Sequence, residues 1–485
     1  FLCAGIACLG AITPVVDYDA LSYVVPIARR IADTGQLHAW TDEARSIWPL
    51  FHEVLLAYVI RLGGDHLIAV TAFEWLLALG AVSALARRVC AQATHVPVAI
   101  VLALAAPVVA FQISTAKEDL LLVAAVAGAG FCLASRDPRD LRPAGIFAGI
   151  AAGTKYPGLG VAIAGVIWVA WAHRGRRLRA AAAIAGWAFA VGGLWYVLNL
   201  WRYGNPVAPF VFGARGTPLG LASVHDLFDS WGLERSAFAF VVTPIRLFLN
   251  PNPYLGRAAE FNPLVYAGLA GLAVAPLRRR SAPLYAIAGV LYVGWFFSLE
   301  NARLLLPAAV LLAPAAAAVL VPIAARWRPL AWASAMVLAV PLLLIPLVGV
   351  VRAARYLSDP PSFLYNYTER YTDIQWINAH LDRRRDRVGS IFPDVGYLEI
   401  PFITFGPTYQ MELSFEELND PALLLDACRR QGITHLFAAP GAFAASLDPR
   451  LRVVYDNPVS RRGGEHFFVA PRTEHTTLFE ILPRP

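Results

Sequence analysis

Long apolar runs recur down the chain to about residue 350, and they leave it few folds to adopt. Leu120 to Ala134, Ala180 to Leu200, Ala282 to Leu299, Leu304 to Ala325 and Leu330 to Val350 are the clearest of them. Several approach the roughly 20 residues that a helix needs to cross a bilayer at about 1.5 Å rise per residue. Composition agrees: 58 % of the 485 residues are hydrophobic and 15 % are charged. Soluble chains average about 45–50 % and about 25 %. Alanine and leucine dominate and β-alternation is scarce, which excludes a membrane barrel.

The net charge of +7 could suggest nucleic acid, but its placement argues otherwise. Arg87–Arg88, Arg136/Arg139/Arg142, Arg174/Arg176/Arg177/Arg179, Arg278–Arg280 and Arg326/Arg328 each sit in a short break between apolar runs. Such breaks mark the cytoplasmic side. No basic patch interleaved with aromatics is present. Of Cys3, Cys8, Cys90, Cys132 and Cys428, only the last falls in a soluble region, so no disulfide framework is expected.

Alternation from a cytoplasmic start gives about eleven crossings. Residues 1–16 read as the remainder of a first membrane helix. Outer loops then span 17–65 and 201–262, with amphipathic interfacial stretches at Leu21 to Thr34, Phe51 to Leu62 and Val224 to Leu249. Further crossings are expected near 66–86, 96–113, 120–135, 180–200, 263–276, 282–298, 304–324 and 330–350. Residues 144–172 lie between two arginine-rich breaks and so need an even number of crossings. Two short helices meeting on the outer side at Thr154-Lys155-Tyr156-Pro157-Gly158 satisfy this. The chain thus divides into a transmembrane domain, residues 1–351, and a soluble α/β domain, residues 352–485, facing the periplasm or exterior. In that second domain, Tyr371 to Leu381 and Phe415 to Gln431 read as helices. Val388 to Phe392, His435 to Ala439, Leu451 to Tyr455, His466 to Val469 and Thr477 to Ile481 read as strands.

Charge at the outer ends of crossings is not orientation charge, so it is where chemistry is sought. Asp17-Tyr18-Asp19 follows the first crossing. These acids either cap the next helix or supply a general base or a ligand to a divalent metal. Glu118 and Asp119, beside Lys117, are loop charges or else carboxylates that orient an acceptor or share a metal. Lys155 at the helix break either snorkels to headgroups or meets a phosphate. Arg303 either pairs with Glu300 or binds phosphate. His52 and Glu53 could reach a substrate or metal, without strong zinc spacing. Arg246 and His225 are candidate leaving-group contacts. Tyr18, Tyr23, Trp40, Trp48 and Trp231 could stack on sugar faces.

Asp19-Ala20-Leu21-Ser22-Tyr23, followed by Ala28-Arg29-Arg30-Ile31-Ala32-Asp33-Thr34-Gly35, resembles the first outer loop of the C-type (GT-C) integral-membrane glycosyltransferases. The likeness is to bacterial relatives of the protein O-mannosyltransferases and of the lipid A aminoarabinose transferase. Asp119 matches that family's acid at the start of the fourth crossing, Thr154-Lys155-Tyr156 its lysine-bearing break, and Arg303-Leu304-Leu305-Leu306-Pro307 its Arg-Tyr-Leu-Leu-Pro segment. Its Lys-Pro-Pro segment is absent, with Trp48-Pro49-Leu50-Phe51-His52-Glu53 in that neighbourhood.

The resemblance implies an inverting transfer of sugar from a polyprenyl-phosphate donor to a lipid, glycan or protein acceptor. The reaction would occur at the outer face of a bacterial inner membrane. Asp19, with Asp119, Asp17 and Glu118, would be the catalytic acids. Lys155, Arg303 and Arg246 would hold the donor phosphate, and a divalent cation is the one cofactor left open. A polysaccharide ligase and a transporter or flippase are the competing classes. A transporter should carry polar residues near the middle of several crossings, whereas the conspicuous charges here cluster at outer ends.

Overall fold

The computed structural model describes residues 2–37, 39–135, 137–173, 175–218, 235–250, 262–298, 301–406, 408–441, 450–462 and 472–482. To about residue 358 these form a bundle of helices; the strands all lie beyond residue 387.

Among the described residues, four helices are long and apolar enough to cross a membrane: Ile68–Val89, Arg177–Tyr203, Ala302–Arg326 and Arg328–Ser358. That is fewer than the roughly eleven crossings expected: Ala275–Phe296 is as long as Ile68–Val89 but carries three arginines near its start, and other apolar helices are shorter. The stretch expected at 96–113 divides into His95–Leu104 and Pro107–Gln112. Ala106, which precedes Pro107, is extended at φ −130°, ψ 140°, as clash with a proline ring demands of the residue before it. Arg278–Arg280, read from the sequence as a loop, lie inside the helix Ala275–Phe296, which takes Pro276 into its first turn. The last long helix continues through residue 351 to Ser358, and Arg352 within it donates to Thr13 Oγ1 at 2.6 Å and to the Pro14 carbonyl at 2.8 Å. That contact ties the last long helix to the residues that follow the N-terminal helical turns Leu2–Ala7 and Cys8–Ile12.

Residues 141–172 fold as two helices, Leu141–Thr154 and Leu159–Ala172, hinged where the sequence placed the break. Lys155 is extended and Tyr156–Gly158 make one tight turn. Position 158 must be glycine: a Cβ there would stand 1.9 Å from the carbonyl oxygen of Ala151. The helix Asp119–Ser135 is buried along nearly its whole length among its neighbours, so its first residues are carried on the rigid centre of the bundle.

The C-terminal domain holds a five-stranded sheet of β1 (Val388–Ser390), β2 (Phe402–Thr404), β3 (His435–Ala438), β4 (Leu451–Arg462) and β5 (Arg472–Ile481), in the order β2-β1-β3-β5-β4. β1 is parallel to both β2 and β3, whereas β5 is antiparallel to both β3 and β4. Alternation along the strands sends Leu436 and Phe479 to one side, with Leu424, Leu425 and Cys428 of the helix Pro421–Arg430. Phe437 and Leu478 go to the other, with Ile374 and Ile377 of the helix Tyr371–His380. Two differences from the sequence-based expectation have simple causes. β2, three residues long, is too short for a periodic signal. The helix expected over Phe415 to Gln431 is two, Phe415–Asn419 and Pro421–Arg430, because Pro421 opens a new one capped by Asp420. The strand expected at His466 to Val469 lies outside the described residues.

This sheet domain packs on the segment that precedes the first long helix, Ile68–Val89. Arg29 donates to the Gly396 carbonyl at 2.5 Å, and Tyr397 donates to the Val15 carbonyl at 2.7 Å. Gly396 permits the approach, since a Cβ there would lie 2.5 Å from the backbone oxygen of Leu21.

Candidate active site

Four separate stretches of chain bring charged residues to one end of the bundle. Asp17 and Asp19 come from the turn after the first helix. Lys117, Glu118 and Asp119 open the central helix, Lys155 marks the hinge, and Arg303 sits in the turn leading into Leu306–Arg326.

Their contacts interlock. Lys117 Nζ lies 2.9 Å from Asp17 Oδ1 and 3.1 Å from Asp19 Oδ2. Arg303 Nη1 lies 2.6 Å from the same Asp19 oxygen, and its Nε is 3.8 Å from Asp119 Oδ2. Lys155 Nζ spans Glu118 Oε1 at 2.5 Å and Asp119 Oδ1 at 3.0 Å. Four carboxylates thus share three cations. The pairing is incomplete: Glu118 Oε2, Asp119 Oδ2 and Arg303 Nε are buried without a hydrogen-bond partner among the described residues. A buried polar group in that state costs free energy that a bound ligand can recover.

The two leading acids differ. Asp17 Oδ1 accepts from the Ala20 amide at 3.0 Å, so it caps the next turn as well as pairing with Lys117. Asp19 makes no such cap, and its side chain keeps 28 % of its exposure against 13 % for Asp17. Burial works against ionisation of Asp19, but Lys117 and Arg303 outweigh it and hold the carboxyl well below the usual carboxylate range. Burial likewise disfavours the Lys117 charge, and Asp17 and Asp19 more than compensate, raising its pKa.

Behind this cluster stands a second layer. The helix Phe51–Arg61 buries His52 and Glu53, and His52 Nδ1 is 2.8 Å from Glu74 Oε1. Burial opposes the His52 charge, but Glu74 pushes its pKa up to about 9. Burial, with the Glu118 carboxylate beside it, pushes Glu53 up to about 8. Tyr23 is buried against the cluster, its electrostatic neighbours being Glu118, Asp19, Arg303 and Glu53, with Trp48 edge-on at 5.9 Å.

The structure therefore brings together Asp17, Asp19, Glu118, Asp119, Lys155 and Arg303, with Tyr23, His52 and Glu53 adjoining. Arg246 does not join them. It is exposed on the helix Ala237–Leu249, 5.9 Å over Phe238, and makes no ion pair among the described residues. The expected Arg303–Glu300 pair is untraceable, since Glu300, like His225 and Trp231, lies outside the described residues; Arg303 reaches Asp19 instead. Sequence reasoning passed over Lys117 as a site residue, although its place beside Glu118 and Asp119 signalled it. It also missed Glu74, an acid inside an apolar crossing, and such a position is by itself a functional signal.

The divalent cation left open above finds no fitting ligand set. Among the described residues no three His, Cys, Asp or Glu side chains converge on a point that could hold a metal. The carboxylates instead face lysine and arginine, which supply the positive charge themselves.

No family model and no curated protein matches the sequence. Solved structures do match its fold. ArnT from Cupriavidus metallidurans bound to undecaprenyl phosphate aligns with a TM-score of 0.63 at 14 % identity, over 98 % of this chain and 96 % of that one. The archaeal oligosaccharyltransferase AglB from Archaeoglobus fulgidus, in complex with an inhibitory peptide and a dolichol-phosphate, gives 0.52 at 16 % identity over 90 % and 69 %. The arabinofuranosyltransferase AftD from Mycobacteria gives 0.55 at 14 % identity, over all of this chain and 40 % of that much longer one. This chain therefore shares its fold with these solved membrane enzymes.

Proposed function

We propose that the chain is a polyprenyl-phosphate-sugar-dependent glycosyltransferase acting at the outer face of a bacterial inner membrane. The observation that carries this reading is the interlocked cluster of Asp19, Asp119, Lys155 and Arg303 at one end of a bundle with the fold of ArnT. In this reading the shorter and interrupted helices complete about eleven crossings within residues 1–351, and residues 352–485 form an outer domain above them. ArnT was solved with undecaprenyl phosphate and AglB with a dolichol-phosphate, which supports a lipid-linked donor here.

The chemistry follows from the charges. An acceptor hydroxyl oxygen attacks the anomeric carbon, the bond from that carbon to the phosphate oxygen breaks, and the hydroxyl proton passes to the Asp19 carboxylate. The products are the new glycoside and a polyprenyl phosphate, with inversion at carbon. While Lys117 and Arg303 both hold Asp19, its carboxylate is a weak base. A donor phosphate that drew Arg303 and Lys155 towards itself would loosen that hold and strengthen the base where the proton must go. The same two cations would stabilise the charge growing on the leaving phosphate.

The test is conversion in proteoliposomes containing a radiolabelled polyprenyl-phosphate sugar and candidate acceptors. Labelled acceptor appearing together with free polyprenyl phosphate is the expected result. Movement of intact donor across the bilayer without conversion would make the chain a flippase.

A further inference from the structure

One contact between the two domains reaches the cluster itself. Residues 41–45 and 409–412 lie side by side. The Ala44 amide donates to the Tyr409 carbonyl at 2.8 Å, the Met411 amide to the Thr41 carbonyl at 2.6 Å, and Thr41 Oγ1 to Glu412 Oε1 at 2.8 Å. Within this seam the buried Arg45 guanidinium is held by Glu43, Nε to Oε1 at 2.9 Å. It lies between two rings, 4.1 Å from the centroid of Tyr409 and 4.5 Å from that of Tyr23. A guanidinium placed so is attracted by both ring faces, the more strongly for being desolvated.

Tyr409 also shares a side-chain hydrogen bond with Tyr18, the residue between Asp17 and Asp19. The Tyr18 carbonyl in turn accepts from Ser22 Oγ at 2.7 Å. A single tyrosine of the C-terminal domain therefore touches the residue that separates the two leading acids. It also touches the cation stacked on Tyr23, whose ring borders Glu118 and Asp19. A docking contact alone would not need both links.

We infer that Tyr409 is a positioning residue of the active site, fixing through Tyr18 and Arg45 the turn that carries Asp17 and Asp19. The inference rests on the glycosyltransfer reading and deepens it: the outer domain completes the catalytic geometry as well as covering it. Displacing a reacting group by about 1 Å can cost about a hundredfold in rate.

The experiment compares full-length Tyr409→Ala, Tyr409→Phe, Tyr18→Phe and the double Tyr18→Phe/Tyr409→Phe variant with wild type in the proteoliposome assay. Thermal unfolding is followed in parallel. Tyr409→Ala should lower kcat about 10–100-fold while the donor KM stays within about twofold. Tyr409→Phe, which keeps the ring over Arg45, should recover most of the loss. The two single phenylalanine variants should cost alike, and the double no more than either, because they break one shared bond. Unchanged kcat in folded Tyr409→Ala, or a loss confined to KM, would overturn the inference. So would additive losses in the phenylalanine pair, which decide the question if Tyr409→Ala fails to fold. Absence of transfer by wild type would instead sink the glycosyltransferase reading.

Discussion

Two buried aspartates, one in each domain, show how differently a carboxylate can be used. Asp373, in the C-terminal domain, is saturated. Its Oδ1 accepts from Tyr455 at 2.8 Å and Asn457 at 2.6 Å, and its Oδ2 from Ser460 at 2.5 Å and Thr476 at 2.9 Å. Those donors are neutral and come from β4 and β5, so Asp373 clamps the helix Tyr371–His380 to the sheet. Asp119, opening the central helix of the bundle, is paired with cations yet leaves one buried oxygen without a hydrogen bond among the described residues, as does Glu118 beside it. A satisfied buried acid stabilises a fold, whereas an under-satisfied charged cluster at a helix end is a candidate site for a ligand from outside the chain.

The largest expected effect separates chemistry from architecture. Asp19→Asn keeps size and most hydrogen bonding but removes the proposed base, and should lower turnover about 10²–10⁴-fold with folding intact. Asp17→Asn should cost less, because Asp17 also serves as a cap. Turnover with native donor and acceptor, alongside size-exclusion profiles, checks this. Near-normal activity in Asp19→Asn beside an inactive, folded Asp17→Asn would assign the base to Asp17.

Next in size is the cation side. Arg303→Met removes one proposed stabiliser of the leaving phosphate and should reduce turnover about 10²–10³-fold, the scale for losing one charge-stabilising donor. An Arg303→Met variant with unaltered kcat would place phosphate stabilisation elsewhere.

Asp373→Asn should do the reverse of Asp19→Asn. Replacing a charged acceptor of four hydrogen bonds should cost about 2–3 kcal/mol or more of stability, read as a lower unfolding midpoint, while kcat of the folded fraction is unchanged. A fall in kcat at constant stability would erase the distinction drawn between the two aspartates.

The smallest effect is a pH dependence of stability from the layer behind the cluster. His52 has its pKa raised from the ordinary 6.5 to about 9, and Glu53 from 4.5 to about 8. In both, the folded state binds its proton more tightly than the unfolded chain. Their contribution is therefore complete below the unfolded values and is lost as pH rises through about 8 for Glu53 and about 9 for His52. Thermal unfolding in detergent between about pH 7 and about pH 10 should show a falling midpoint, with the fall below about pH 8 shallower in Glu53→Gln, where only His52 still contributes. A midpoint that rises over this range would contradict the assignment.

Much of this arrangement can be read in the sequence because it depends on local chemistry. Pro157 and Gly158 announce the hinge at Lys155, and apolar runs locate Ile68–Val89 and Arg328–Ser358, though not the last turns of the latter. Acids at the ends of such runs stand out as charges that orientation cannot explain. What could not be read is pairing at a distance. Arg303 meets Asp19 across 284 positions, and a nearer carboxylate, Glu300, offered the simpler local partner. Arg45 and Tyr409 show no pattern until the two domains are packed together. The long β4 was underestimated because bulges between Val453 and Tyr455, and again between Asn457 and Ser460, disrupt its alternation.

If Lys155 and Arg303 receive the phosphate of a lipid-linked donor beside Asp19, the bound phosphate must be visible there. The most direct measurement is a cryo-electron microscopy map of the protein in nanodiscs supplied with a polyprenyl phosphate. Phosphate density within hydrogen-bonding distance of Lys155 or Arg303, with Arg303 drawn away from Asp19, is the expected result. Phosphate density bound elsewhere on the protein, with the Asp19–Arg303 pair intact, would contradict it.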